Sequence, residues 1–210
     1  VGAVTGSVYS VEQRESVSRL VVEGGITSIG KDFHFSSDLY SGRFTNLVSA
    51  SFSDSVCDLP EGMFDGCSSL QEVLPAHVGV IPASFFKECT SLGQLEIPYG
   101  VTEISESAFY GCSGLRTVDF GNSLKTIGES AFEKCSALSS ICLPETVSEL
   151  GEKAFAGTAI TKMVIPDSVE SLNMTAFNNC SSLEEVEFEG AQPKRIGGAY
   201  SGNKLKGVHR

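Results

Sequence analysis

"LGQLEIPYGVTEISESAFYGCSGL", residues Leu92 to Leu115, carries the pattern that decides the fold. Its apolar residues fall at Leu92, Leu95 and Ile97, then at Val101 and Ile104, then at Ala108, Phe109, Cys112 and Leu115. The last leucine opens the same pattern again. The phrase "ESAFYGCSGL" from Glu106 returns as "ESAFEKCSAL" from Glu129, 23 residues later. A chain that repeats at this step stacks similar units, each too short to enclose a core by itself.

Aligning the chain on Phe-x-x-Cys places Phe64, Phe86, Phe109, Phe132, Phe155 and Phe177 in one column, at steps of 22, 23, 23, 23 and 22 residues. Ala108, Ala131, Ala154 and Ala176 precede four of them, while Met63 and Phe85 precede the first two. A Ser-x-Leu, or Thr-Ser-Leu after Cys89, follows the cysteine and ends at Leu70, Leu92, Leu115, Leu138 and Leu183. One copy departs, reading "FAGTAI", with Thr158 near the cysteine place and Ile160 arriving a residue early.

From each of these leucines a period-two pattern runs on, as in Leu115-x-x-Val118-x-Phe120 and Ile160-x-x-Met163-x-Ile165. Such alternation is a strand with one buried face. Pro98, Pro144 and Pro166 then end the strand, because proline has no N–H for the next ladder bond. A second apolar pair, three residues apart, follows at Val78/Ile81, Val101/Ile104, Leu124/Ile127, Val147/Leu150 and Val169/Leu172, and predicts an extended return path. The "SESAF" and "GESAF" stretches suit the cap and first turn of a one-turn helix whose Ala and Phe face the core.

The same frame fits Val17 to Ile29 and Leu47 to Leu59, so the expectation is about eight coils of 22–23 residues. Residues 1–16 are then an N-terminal cap segment, 17–189 the solenoid, with an insertion at 31–46, and 190–210 a tail or a truncated last repeat. One parallel sheet should form one face, with short strands and one-turn helices on the other.

The order Leu-x-x-Ile-x-Ile-Pro-x-x-Val-x-x-Ile-x-x-x-Ala-Phe-x-x-Cys-x-x-Leu resembles the BspA-like class of leucine-rich repeat, over roughly residues 17 to 189. It departs at the insertion, at the "LQEVLPAHV" coil, which is one residue tight, and in the tail. The resemblance implies a leucine-rich repeat solenoid that is secreted or cell-surface and adhesive, of a kind found on bacteria living with animal hosts and in some protozoan parasites. It implies a protein partner, either a host matrix or plasma protein or another cell surface. Individual ligands do not travel with a repeat, since consensus residues are core residues.

Composition narrows the classes further. The formal charge of -11 repels nucleic acid and anionic lipid. No run approaches the roughly 20 apolar residues of a membrane span. The opening "VGAVTGSVYSVEQ" lacks the basic region and continuous apolar stretch of a signal peptide. Seven cysteines include no C-x-x-C pair, and Cys67, Cys89, Cys112 and Cys135 recur with the repeat, so neither zinc nor a disulfide framework is expected. Parallel neighbours on successive coils would bridge only with strained torsions, so the thiols should be free and buried.

The histidines, His34, His77 and His209, lie far apart in sequence, and no Ser-His-Asp or Cys-His arrangement is apparent. Glu184, Glu185, Glu187 and Glu189 read as a solvated acidic edge, and "IGGAYSGNK" lacks the strand and helix that a phosphate loop needs. The expectation is a chain that is not an enzyme and holds no metal or cofactor. What remains is the outer side of the strands: Gln94, Glu96, Thr117, Asp119, Ser140, Lys162, Val164, Glu185 and Glu187, with Ser49, Ser51 and Cys142 in the same strip. A broad rigid face favours protein recognition, because preorganised groups lose little entropy on binding. The rivals are a passive spacer for another domain and a glycan-binding module, for which Tyr40, Tyr99 and Tyr110 are the available aromatic platforms.

The buried-cysteine placement is testable at once. Cys112→Ser is expected to lower stability by about 1–3 kcal/mol through a buried polar group or a packing defect. A variant melting at the wild-type temperature would refute the placement.

Overall fold

The computed structural model of the chain describes residues 16–22, 26–30, 44–74, 77–190, 195–198 and 207–209. The expected N-terminal cap segment, apart from Ser16, and most of the 31–46 insertion lie outside the described residues. Each coil runs through three segments, and each segment bonds to its counterpart in a neighbouring coil. The result is a parallel solenoid, as the repeat requires.

The first segment is the strand with the period-two pattern, and together these strands make the front face. Gln94–Glu96 pairs in parallel with Thr117–Asp119, with Leu95 opposite Val118 and both side chains buried. Lys162–Ile165 pairs with Glu185–Phe188, and Arg19–Val22 with Ser49–Phe52. A single front sheet was expected, and it comes instead in three pieces of three, two and three strands. One division falls between Glu72–Leu74 and Gln94–Glu96, at the coil that is a residue short. The other falls at Leu138 to Leu143, which keeps the apolar frame but forms no strand.

Proline then turns the chain. The N–H groups of Val101, Val147 and Val169 donate to the carbonyls of Pro98, Pro144 and Pro166 at 3.0–3.2 Å. The return path is itself a sheet, six strands in the order Arg195–Gly197, Ser171–Asn173, Glu149–Leu150, Thr126–Ile127, Glu103–Ile104 and Val80–Ile81. Ile81, Ile104, Ile127, Leu150 and Leu172 point inward from it and are buried. Beyond residue 189 the pairing continues, since Arg195 lies opposite Ser171 and Gly207 opposite Glu185.

The third segment differs from the helical turn that the sequence predicts. Among the described turn segments of the repeat only Met174–Phe177 is helical, as a 3-10 turn capped by Asn173, whose side chain accepts from the Thr175 N–H. Elsewhere alternate N–H groups serve different partners. Ser107, Phe109 and Gly111 donate to the carbonyls of Glu129, Ala131 and Glu133 in the next coil, at 2.8–2.9 Å. Tyr110 and Cys112 between them donate back to Ser107 and Phe109. A helix would satisfy its own N–H groups and give up this inter-coil ladder. The geometry demands a left-handed residue twice per coil, and Gly111 at φ 74° supplies one of them without a Cβ penalty.

The core lies between the three segments. The six phenylalanines of the column are fully buried and stack with centroids 5.1–6.3 Å apart and ring planes within 18° of parallel. The full set of segments recurs about six times, matching this stack and the six-stranded sheet, where the sequence frame gave eight coils. The first early frame supplies a front strand and one bridge, Ser28 to Asp58, but among the described residues no ring of the stacked column, whereas the Leu47 frame runs on to Phe64, the first ring of that column.

The cysteines sit where the turns enter the core. The thiols of Cys89, Cys112, Cys135 and Cys180 donate to the carbonyls of Phe64, Phe86, Phe109 and Phe155, each in the preceding coil, at 3.1–3.2 Å. In the aberrant copy Thr158 takes the cysteine place, is buried, and donates to the Phe155 carbonyl at 2.8 Å. Desolvation raises the pKa of Cys89, Cys135 and Cys180 above the ordinary thiol range, so these groups stay protonated.

Three outcomes follow from this packing. Phe132→Ala, which removes a ring from between Phe109 at 5.1 Å and Phe155 at 5.5 Å, should lower unfolding free energy by about 3–5 kcal/mol in denaturant titration. Gly151→Ala should destabilise by about 1–3 kcal/mol, because a β-carbon there would lie 2.4 Å from the Glu129 nitrogen. The stabilisation from the raised thiol pKa values is whole below the unfolded value near 9.0 and is lost as pH climbs above it. Melts above that pH should show a loss of up to about 1.4 kcal/mol per pH unit for each of Cys89, Cys135 and Cys180.

Candidate interaction surface

On the front face the pleat turns every second side chain outward. Register places Gln94 opposite Thr117 and Glu96 opposite Asp119, and all four are exposed. In the last part of the face Lys162 lies opposite Glu185 and Val164 opposite Glu187. Lys162 is exposed while Val164, Glu185 and Glu187 are half-buried. The nine residues of the sequence-derived strip thus fall into two groups, with Ser140 alone between them on the strandless coil, beside the exposed free thiol of Cys142.

The two groups differ electrically. The Lys162 ammonium reaches Glu185 at 3.6 Å and is hydrogen-bonded to Glu187, and that bond leads the interactions that raise its pKa. Lys162 thus offsets one of the two glutamates at this end. At the other end an open groove of about 680 Å³ crosses three coils, with Gln71, Glu72, Gln94, Glu96, Thr117 and Asp119 along it and Leu95 and Val118 as its floor. The Asp119 carboxylate accepts from the Gly121 N–H at 2.9 Å, which fixes its orientation. The Arg116 guanidinium lies over Gly93 at the rim, 3.7 Å from where a β-carbon would sit.

Gln71 and Glu72 were not in the sequence-derived strip, because the tight coil obscured their frame. The signal was present in Leu70-x-x-Val73, which puts Glu72 at the same place as Gln94 and in register with Ser49. A second open groove, of about 580 Å³, runs over the six-stranded sheet between Thr126, Ser148, Glu149, Glu170, Ser171 and Asn173. The sequence reading treated that side only as a return path.

The remaining sequence candidates stay apart. His77 lies 4.0 Å from Asp54 on the surface, His34 is outside the described residues, and His209 ends the last strand. Tyr99 stands 85% exposed in the turn after Pro98, while Lys134 covers the Tyr110 ring at 4.7 Å and donates to its hydroxyl. Tyr40 is outside the described residues. Among the described residues no three His, Cys, Asp or Glu side chains are grouped to hold a metal ion, and no helix is long and apolar enough to cross a membrane.

Comparison with known proteins agrees with this architecture. No curated protein matches the chain. Among solved structures, a leucine rich cell surface protein from Faecalibacterium prausnitzii superposes with a TM-score of 0.58 at 21% identity, over 85% of this chain and 61% of that one. The T. pallidum leucine rich repeat protein also gives 0.58, at 25% identity, over 86% of this chain and 73% of that one. The pneumococcal vaccine antigen PcpA gives 0.54 at 17% identity, over 81% and 56% of the two chains. This chain thus spans about three fifths of the Faecalibacterium protein's length. Six copies of the BspA type leucine rich repeat region match residues 58–184, and the chain belongs to that family.

Proposed function

We propose that this chain is a protein-binding module that works outside the cell, without catalysis, and attaches its bearer to a host protein or to another cell. The observation that carries this reading is the front face. Nearly every consensus side chain of the repeat is consumed by the core, and the residues left outward on the strands form a broad surface held by the backbone ladders. Such a surface is ordered before a partner arrives, so binding forfeits little conformational entropy. Gln94, Glu96, Thr117, Asp119, Ser140, Lys162, Val164, Glu185 and Glu187 are the proposed contact residues, joined by Gln71 and Glu72. Display at the surface is supported by the similar fold of a cell surface protein and of a vaccine antigen.

The test is capture of extracellular matrix and plasma proteins by the immobilised chain, beside a variant with Glu96→Lys, Asp119→Lys and Lys162→Glu. The variant is expected to lose capture by about tenfold or more, as expected when like charges face each other across an interface. Capture that survives the charge reversal would remove the front face from the account. No capture by the wild-type chain would favour the passive spacer.

A further inference from the structure

The two ends of the front face invite different partners, and the groove end is the more specific. Here Glu72–Leu74 and Gln94–Glu96 belong to separate sheets, and the open space between and above them is the groove of about 680 Å³. Three carboxylates, Glu72, Glu96 and Asp119, line it, against the single guanidinium of Arg116 at the rim. Among the described residues Glu72 and Glu96 enter no ion pair, in contrast to Glu185 and Glu187, which share Lys162. The groove crosses three coils, or about 10 Å at the usual strand spacing, which an extended chain covers in about three residues.

We infer that this groove receives a basic, extended segment of the partner protein, with lysine or arginine side chains meeting Glu72, Glu96 and Asp119. The inference rests on the front-face reading above and adds the chemistry of the partner. The groove walls are polar and the floor is formed by the buried flanks of Leu95 and Val118, so the occupant is held by charge and backbone contacts and not by an apolar anchor. The net charge of -11 draws such a segment in from a distance, and an anionic polymer is turned away. Arg116 lies over Gly93 on the middle of the three coils, so a cation of the segment is disfavoured beside Gly93 and is directed to the carboxylates.

The probe is a short fluorescent oligolysine peptide, titrated with the full chain by anisotropy at about 0.05 and 0.3 M salt, where screening differs strongly. Glu72→Gln with Glu96→Gln and Asp119→Asn should weaken binding about tenfold at low salt, the sum of three exposed ion pairs. Glu106→Gln with Glu129→Gln and Glu145→Gln removes the same charge from exposed sites outside the groove and should change affinity less than about twofold. Thermal melts establish that both variants are folded. Equal weakening by the two variants, or no binding by the wild type, would overturn the groove assignment. Matrix-protein capture separates the two claims. Capture lost on front-face charge reversal but kept by the Glu72, Glu96 and Asp119 variant would leave the front face standing and remove the groove. Capture kept by both variants would remove the front face as well.

Discussion

A coil of 22 or 23 residues carries more apolar surface than it can cover, and it closes only when another coil lies on each side. That constraint explains why the strongest regularities are between coils. Phe86, Phe109, Phe132 and Phe155 each stack on a phenylalanine above and below, and their own N–H groups donate to the next coil at 2.7–2.8 Å. The thiols extend the same arrangement inward, with Cys112 bonded to Phe86 and Cys135 to Phe109. Holding the ladder requires left-handed backbone at ordinary residues such as Ser84, Ser107, Ser130 and Lys153, with φ between 54° and 56°. Each costs on the order of 1–2 kcal/mol. The cost is borne because the alternative is a row of buried N–H groups without partners.

Much of this was legible in the letters. The period, the inward columns and the proline turns are written in residue type, since apolar spacing reports which positions face the core. The turn segment was not. "SESAF" has the composition of a helix cap, and local preference points to a helical turn, but the neighbouring coil competes for the same N–H groups and wins. The glycines at 66, 111 and 157 and the asparagine at 179 were the available clue, because they recur just before the cysteine place, where positive φ is needed. The sequence frame gives more coils than the structure completes because apolar spacing at Val17 and Leu183 marks strands, whereas a complete coil also needs the phenylalanine and its turn.

The surface was legible in outline only. Alternation identified which side chains point outward, and register then divided them. Lys162 belongs with Glu185 and Glu187, while Glu96 and Asp119 belong with Glu72, a residue whose frame the tight coil concealed. Sequence spacing cannot report a gap between sheets, because a gap depends on how two coils of unequal length settle against each other. Hence the repeat specifies the fold, and its irregularities create the places where the front face is not uniform.

Residue-resolved amide hydrogen exchange tests the central claim most directly. If neighbouring coils close one another through the turn ladder, the amides of Ser107, Phe109 and Gly111 exchange as slowly as those of the front strands, by opening of the whole stack. Exchange of those three amides at the rate of exposed loops, with the strands still protected, would contradict it.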